Sequence, residues 1–247
     1  RELNDAFELG RGLLQLGTIQ AELLDYPAAQ AALDEAEKIY SSLDASAWSA
    51  IVWLRRGRIA LLQGDFTSAR QKALEAATIF DSACQRVNHA TAILLHGQAS
   101  LSLADFQAAT HDGKFALDMA KQHQIPSLRY AAYLLLAQIS EQQSKIERSI
   151  HYYRAAAATI ERVQRGLTIT LRPGFLENKA SAWQALIRLN IQNGQLGTAF
   201  EILERAKSQV LLGYLANQES LHWARRDEFS CQLTEELEQL RAEHQWF

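Results

Sequence analysis

Small and apolar residues recur along this chain at three- and four-residue steps, the spacing that lines one face of an α-helix. Between Ser46 and Gln63, Trp53, Gly57 and Ala60 share a stripe; between Phe66 and Cys84, Ala69, Ala73, Ala76 and Phe80 share another. Gly64-Asp65 separates the two stretches and reads as a turn. The stripes predict two antiparallel helices that approach closely where Gly57 meets Ala69, with Trp53 and Phe66 filling the space on either side. Alternating β-branched runs are absent, so the pattern predicts an all-α chain.

The helix pair is repeated. The markers Tyr26, Phe66, Phe106, Ile146 and Leu196 are followed three residues later by Ala29, Ala69, Ala109, Ser149 and Ala199, and successive markers are 40, 40, 40 and 50 residues apart. A fixed period of this length signals an array in which each helix pair buries its face on the next. The first pair carries Leu13, Leu16 and Gly17, then Ala29, Leu33 and Ala36, with Pro27 in a first turn where a missing N–H costs little. The third carries Ile93, His96 and Gly97, then Ala109, Gly113 and Ala116. The fourth has Tyr133, Leu136 and Ala137, then Ser149, Tyr153 and Ala156; the fifth has Trp183, Leu186 and Ile187, then Ala199, Leu203 and Ala206. The expected units are 10–45, 46–86, 87–125, 126–164 and 175–216, together a right-handed α-α superhelix of about five helix pairs. In the fourth unit Gln143-Ser144-Lys145 replaces the Gly turn, which leaves its turn type open.

Markers, small residues and turns together resemble the tetratricopeptide repeat (TPR) family over roughly Gly10 to Ala216. The family period is about 34 residues; the step of 40 here lengthens each helix by nearly a turn, as in TPR arrays of bacterial signalling proteins. Between the fourth and fifth units helical periodicity breaks, and Arg172-Pro173-Gly174 reads as a turn. Arg172, Phe175 and Leu176, followed by Glu204-Arg205-Ala206-Lys207-Ser208, resemble the last repeat before a CHAT domain, a caspase-like peptidase fused to TPR arrays in bacteria. The resemblance implies an accessory array beside a peptidase. Residues 217–247 are expected to hold a linker and an amphipathic helix, with Phe229, Leu233, Leu237 and Leu240 on its stripe, leading toward a downstream domain. A chain that begins at Arg1 and ends within an apparent helix at Phe247 reads as part of a longer protein.

Such a peptidase needs a His-Gly and a later Cys. The chain contains His96-Gly97 and Cys231, but His96-Gly97 aligns with Arg56-Gly57 and Leu16-Gly17, so the repeat accounts for it. No enzyme is expected within this chain, and no cofactor. The histidines lack partners at metal-ligand spacing, and no phosphate-binding Gly motif is present. With 25 basic and 28 acidic residues, a net charge of -3 and no Lys/Arg run, a nucleic-acid footprint is unsupported. No apolar stretch reaches the ~18–20 residues of a membrane span. Two Cys far apart, Cys84 and Cys231, fit a reducing cytoplasm.

These exclusions leave a protein or peptide partner, held on the inner wall formed by the first helix of each pair. One row of that wall, Thr18, Arg58, Gln98, Gln138 and Arg188, is polar throughout. Beside it run Leu14, Leu54, Leu94, Leu134 and Gln184, then Gln15, Arg55, Leu95, Leu135 and Ala185. The expected contacts are Gln15, Thr18, Arg55, Arg58, Gln98, Gln138, Gln184 and Arg188. Either the Leu row takes apolar side chains of a peptide whose backbone the polar row bonds, or it is buried between helices and the wall is solvated. Arg165 and Arg172 either contact the downstream domain or cap helix ends. The alternative function is a peptide or ligand sensor in a bacterial signalling or transcription regulator.

Overall fold

The computed structural model describes residues 2–166 and 180–208. The chain divides into two compact units, residues 1–159 and 160–247. In the first unit the helices are α1 (Glu2–Glu22), α2 (Tyr26–Ser42), α3 (Ser46–Leu62), α4 (Phe66–Ser82), α5 (Arg86–Ser102), α6 (Phe106–Gln122), α7 (Pro126–Gln142) and α8 (Ile146–Gly166), the last running on past the division. The second unit holds α9 (Ser181–Gln192) and a helical stretch at 196–208. The described residues contain no strand. The sequence-based core lies where expected: Ala29, Leu33, Ala36, Ala69, Ala73, Ala76 and Phe80 are all fully buried.

Three glycines fix the approach of the paired helices. A Cβ on Gly17 would lie 3.0 Å from the Ala29 carbonyl oxygen, one on Gly57 3.4 Å from that of Ala69, and one on Gly97 3.5 Å from that of Ala109. The repeating Gly and Ala therefore face each other across each crossing. In the fourth pair Ala137 and Ser149 take these places, and Ser149 Oγ donates to the Ala137 carbonyl at 3.0 Å.

The backbone repeats at half the sequence period. Positive φ occurs at Leu24, Asp44, Gly64, Cys84, Ala104, Gln124 and Ser144, every 20 residues, and again at Gly194. Each turn closes with the same two hydrogen bonds. Asp25 N–H reaches Gln20 O at 2.9 Å and Leu24 N–H reaches Ala21 O at 3.1 Å; Lys145 N–H reaches Ser140 O at 2.8 Å and Ser144 N–H reaches Glu141 O at 2.9 Å. This is the Schellman closure, which satisfies the last carbonyls of a helix. The fourth unit therefore uses the common turn without glycine. Asp25, Asp65 and Asp105 cap the helices that follow, accepting from the N–H of Ala28, Ser68 and Ala108 at 3.2, 3.0 and 3.1 Å.

In the first unit each odd-numbered helix also packs on the next odd one, whereas α2, α4 and α6 make no comparable contact with one another. The odd helices thus line the inside of this stack and the even helices splay on its outside.

Candidate functional site

Six of the expected contact residues lie on the inner helices of the first unit: Gln15 and Thr18 on α1, Arg55 and Arg58 on α3, Gln98 on α5 and Gln138 on α7. Gln15, Arg58 and Gln138 are exposed; Thr18, Arg55 and Gln98 are half-buried. Their local chemistry differs. Thr18 Oγ1 donates back to the Leu14 carbonyl at 2.8 Å, so its hydrogen is already used within α1. Burial lowers the Arg55 pKa from its ordinary value, the Arg58 charge lowers it further, and Glu22 acts in the opposite sense. Arg55 Nε is buried without a hydrogen-bond partner. Gln184 and Arg188 lie on α9 in the second unit, and both are exposed.

The flanking leucines separate the two readings of the wall. Leu14, Leu54 and Leu94 are 6%, 9% and 6% exposed, and Leu134 is half-buried. Leu95 and Leu135 are buried as well. An apolar ladder open to a peptide is therefore absent along α1, α3 and α5; long neighbouring helices have closed over it. The polar row is what reaches solvent.

His96-Gly97 has a structural explanation. Gly97 sits at a helix crossing, and His96 Nδ1 lies 2.6 Å from Oδ2 of the buried Asp112, whose Oδ1 is 3.3 Å from His111 Nδ1. His89 packs edge-on against Phe115 at 5.3 Å between ring centroids. Among the described residues, no group of three or more His, Cys, Asp or Glu is placed to hold a metal ion. No described helix is long and apolar enough to cross a membrane.

Of the residues resembling the repeat before a CHAT domain, 204–208 are described. Arg205 Nη2 donates to Oε2 of the buried Glu161 at 2.5 Å, which ties 196–208 to the end of α8 within the second unit. Lys207 pairs with Glu204 at 3.3 Å, and Ser208 Oγ donates to the Glu204 carbonyl. Arg165 falls in the last turn of α8, so helical periodicity holds through Gly166; Arg172, Phe175, Leu176, Cys231 and the amphipathic helix expected within 217–247 lie outside the described residues.

The sequence pattern did not single out an open groove of about 820 Å³ between the outer helices α6 and α8, floored by α7. Leu136 and Ile139 form its floor, Phe106, Phe115 and Tyr152 its walls, and Lys114, Lys145 and Arg148 are at its rim. The available signal was departure from the repeat. Lys145 stands where Asp25, Asp65 and Asp105 cap the other outer helices, and Arg148 stands where Ala28, Ser68 and Ala108 occur.

No family model matches the chain, and no curated protein does. Among solved structures, the apo form of RapI is similar, with a TM-score of 0.63 at 11% identity over 87% of this chain and 72% of that one. At this identity the likeness shows the fold alone: a TPR-like array of helix pairs.

Proposed function

We propose that this chain is a protein-interaction scaffold whose inner helices hold a protein or peptide partner. The observation that carries the reading is the polar row Thr18, Arg58, Gln98 and Gln138, at 40-residue intervals, lying on the helices that draw together, beside leucines that are buried. A guanidinium and two amides in register supply directional bonds to a partner's backbone and carboxylates. Gln15 and Arg55 flank the row, and Gln184 and Arg188 are the corresponding positions of the second unit. Affinity would then rest on hydrogen bonding more than on apolar pockets.

Selection from a displayed random-peptide library on the purified chain tests this. Enriched peptides should lose binding on Arg58→Ala, Gln98→Ala and Gln138→Ala. Enriched peptides indifferent to all three substitutions would refute the assignment of this face.

Within that role, we place the chain as the regulatory region of a larger CHAT-type peptidase protein, with partner binding biasing the attached domain. The residue pattern at Arg172, Phe175, Leu176 and 204–208 supports this reading. The genomic reading frame beyond Phe247 decides it. A caspase-like segment with a His-Gly and a downstream Cys is expected; a stop codon or a different domain there would overturn it.

A further inference from the structure

We propose that the groove between α6 and α8 is a second binding site, for an acidic linear segment of a partner protein that carries an apolar side chain. It opens on the outer helices of the first unit, on different residues from the inner polar row.

Lys114, Lys145 and Arg148 are exposed at the groove, and none of them has an ion pair among the described residues. Lys145 Nζ donates to Gln143 Oε1 at 2.8 Å, and Arg148 Nη2 donates to Tyr152 Oη at 3.3 Å with its guanidinium 5.6 Å from the Tyr152 ring centroid. These neutral partners hold the cations at the rim without neutralising them. His111 also lines the groove, its Nδ1 3.3 Å from Asp112 Oδ1, and Asp118 is the sole carboxylate lining the groove. A concentration of positive charge on a chain of net charge -3 is local, so it selects a partner by complementarity at this spot.

The other outer helices sharpen the contrast. Asp25, Asp65 and Asp105 place a carboxylate at the start of α2, α4 and α6 and use it on a backbone N–H. At the start of α8, Lys145 supplies an ammonium and no acceptor; the first-turn carboxylate, Glu147, does not line the groove, whereas Lys145 and Arg148 do. Carboxylates of a bound segment would meet Lys145 and Arg148 on the groove side of that helix end.

The groove volume falls within the usual ~300–1,000 Å³ of ligand pockets. The α6 residues that line it run from Phe106 to Asp118, about 18 Å at helical rise, which matches about six residues of extended chain, so a segment of about eight overhangs by one at each end. Phe106, Phe115 and Tyr152 are half-buried, so each offers ring surface to one apolar side chain of the segment while Leu136 and Ile139 close the base.

The test uses a fluorescein-labelled Glu-rich peptide of about eight residues with a central Phe, followed by anisotropy against the whole chain. Binding should weaken about tenfold or more in the double variant Lys145→Glu, Arg148→Glu. It should hold in the charge-matched control Lys38→Glu, Lys121→Glu, both exposed and outside the groove. The milder pair Lys145→Gln, Arg148→Gln, checked for unchanged helicity, should show an intermediate loss and separates lost binding from misfolding. Replacing Glu by Gln in the peptide should weaken it comparably. The proposal is overturned if the wild type does not bind the peptide, if the groove and control variants bind alike, or if the Gln peptide binds equally well. It is also overturned if duplex DNA competes through the same residues, which would make the surface a nucleic-acid site.

Discussion

Gly64 and Ala104 occupy equivalent places in two turns of one kind, each leading from an inner helix into an Asp-capped outer helix, at φ of 82° and 60°. An L-residue in this left-handed region carries a penalty of about 1–2 kcal/mol that glycine escapes. Glycine in turn has more freedom in the unfolded chain, worth about 0.4–1 kcal/mol against it. Ala104 is exposed, so its methyl group contributes little burial. Ala104→Gly should therefore stabilise the protein by roughly 0.5–1 kcal/mol. At Gly64 an added Cβ meets nothing within 4 Å, so Gly64→Ala carries the backbone term alone and should cost about the same amount with opposite sign. The sites are one 40-residue repeat apart, in separate turns, so the double variant should return to near wild-type stability.

Urea unfolding followed by far-UV circular dichroism measures all three variants. A midpoint shift at constant slope isolates a change in stability from a change in the unfolded chain. If Ala104→Gly destabilises the protein, or Gly64→Ala leaves it unchanged, the turn residue does not bear the left-handed strain. The two Schellman hydrogen bonds would then hold φ at no cost to the side chain, and the argument fails.

Three further outcomes follow from the packing. Gly97→Ala places a Cβ 2.9 Å from Asp112 Cβ and 3.0 Å from Leu135 Cδ2 and should lower stability by about 1–3 kcal/mol, whereas Gly12→Ala, exposed and free of neighbours, should raise it by up to about 1 kcal/mol in the same urea titration. Asp112→Ala leaves the half-buried His96 without its partner and should cost about 1–3 kcal/mol, with Asp112→Asn losing less. Tyr40 is fully buried, its hydroxyl has no hydrogen-bond partner, and burial raises its pKa above the usual 10.0. The folded protein then holds that proton after the unfolded chain has released it. This contribution to stability is complete below pH about 10 and is lost as pH rises through the folded-state value. Tyr40→Phe should match or slightly exceed wild-type stability at neutral pH and lose less of it between pH about 9 and 11.

The helix pairs were legible because their crossings admit few residue types. Gly17, Gly57 and Gly97 face Ala29, Ala69 and Ala109 so closely that the small residues recur, and the 40-residue period is the trace of that constraint. The 20-residue backbone repeat was hidden because hydrogen bonds between main-chain groups make the turn, and Leu24, Asp44, Cys84, Gln124 and Ser144 all accept the conformation Gly64 adopts. Of the two readings of the inner wall, the open apolar ladder rested on leucines in register. Register says which residues share a face, but not whether the next helix covers that face, and here it covers Leu14, Leu54 and Leu94. His96 was legible as a position in the repeat and not as half of an ion pair, because its partner Asp112 aligns with Ala32, Lys72 and Tyr152, a place the repeat leaves variable.

That variable place bears on function. Position 32 in the first pair is a buried Ala; its equivalents are Lys72, Asp112 and Tyr152. The repeat therefore admits Ala, Lys, Asp and Tyr at one place, each matched to its own neighbours, as Asp112 is to His96. On the outer helix α8, Lys145 and Arg148 depart from the repeat and Tyr152 fills the variable place, all around one groove. If the departures were neutral drift, charge reversal at Lys145 and Arg148 would leave every binding property untouched, so the anisotropy experiment tests that alternative as directly as it tests the site.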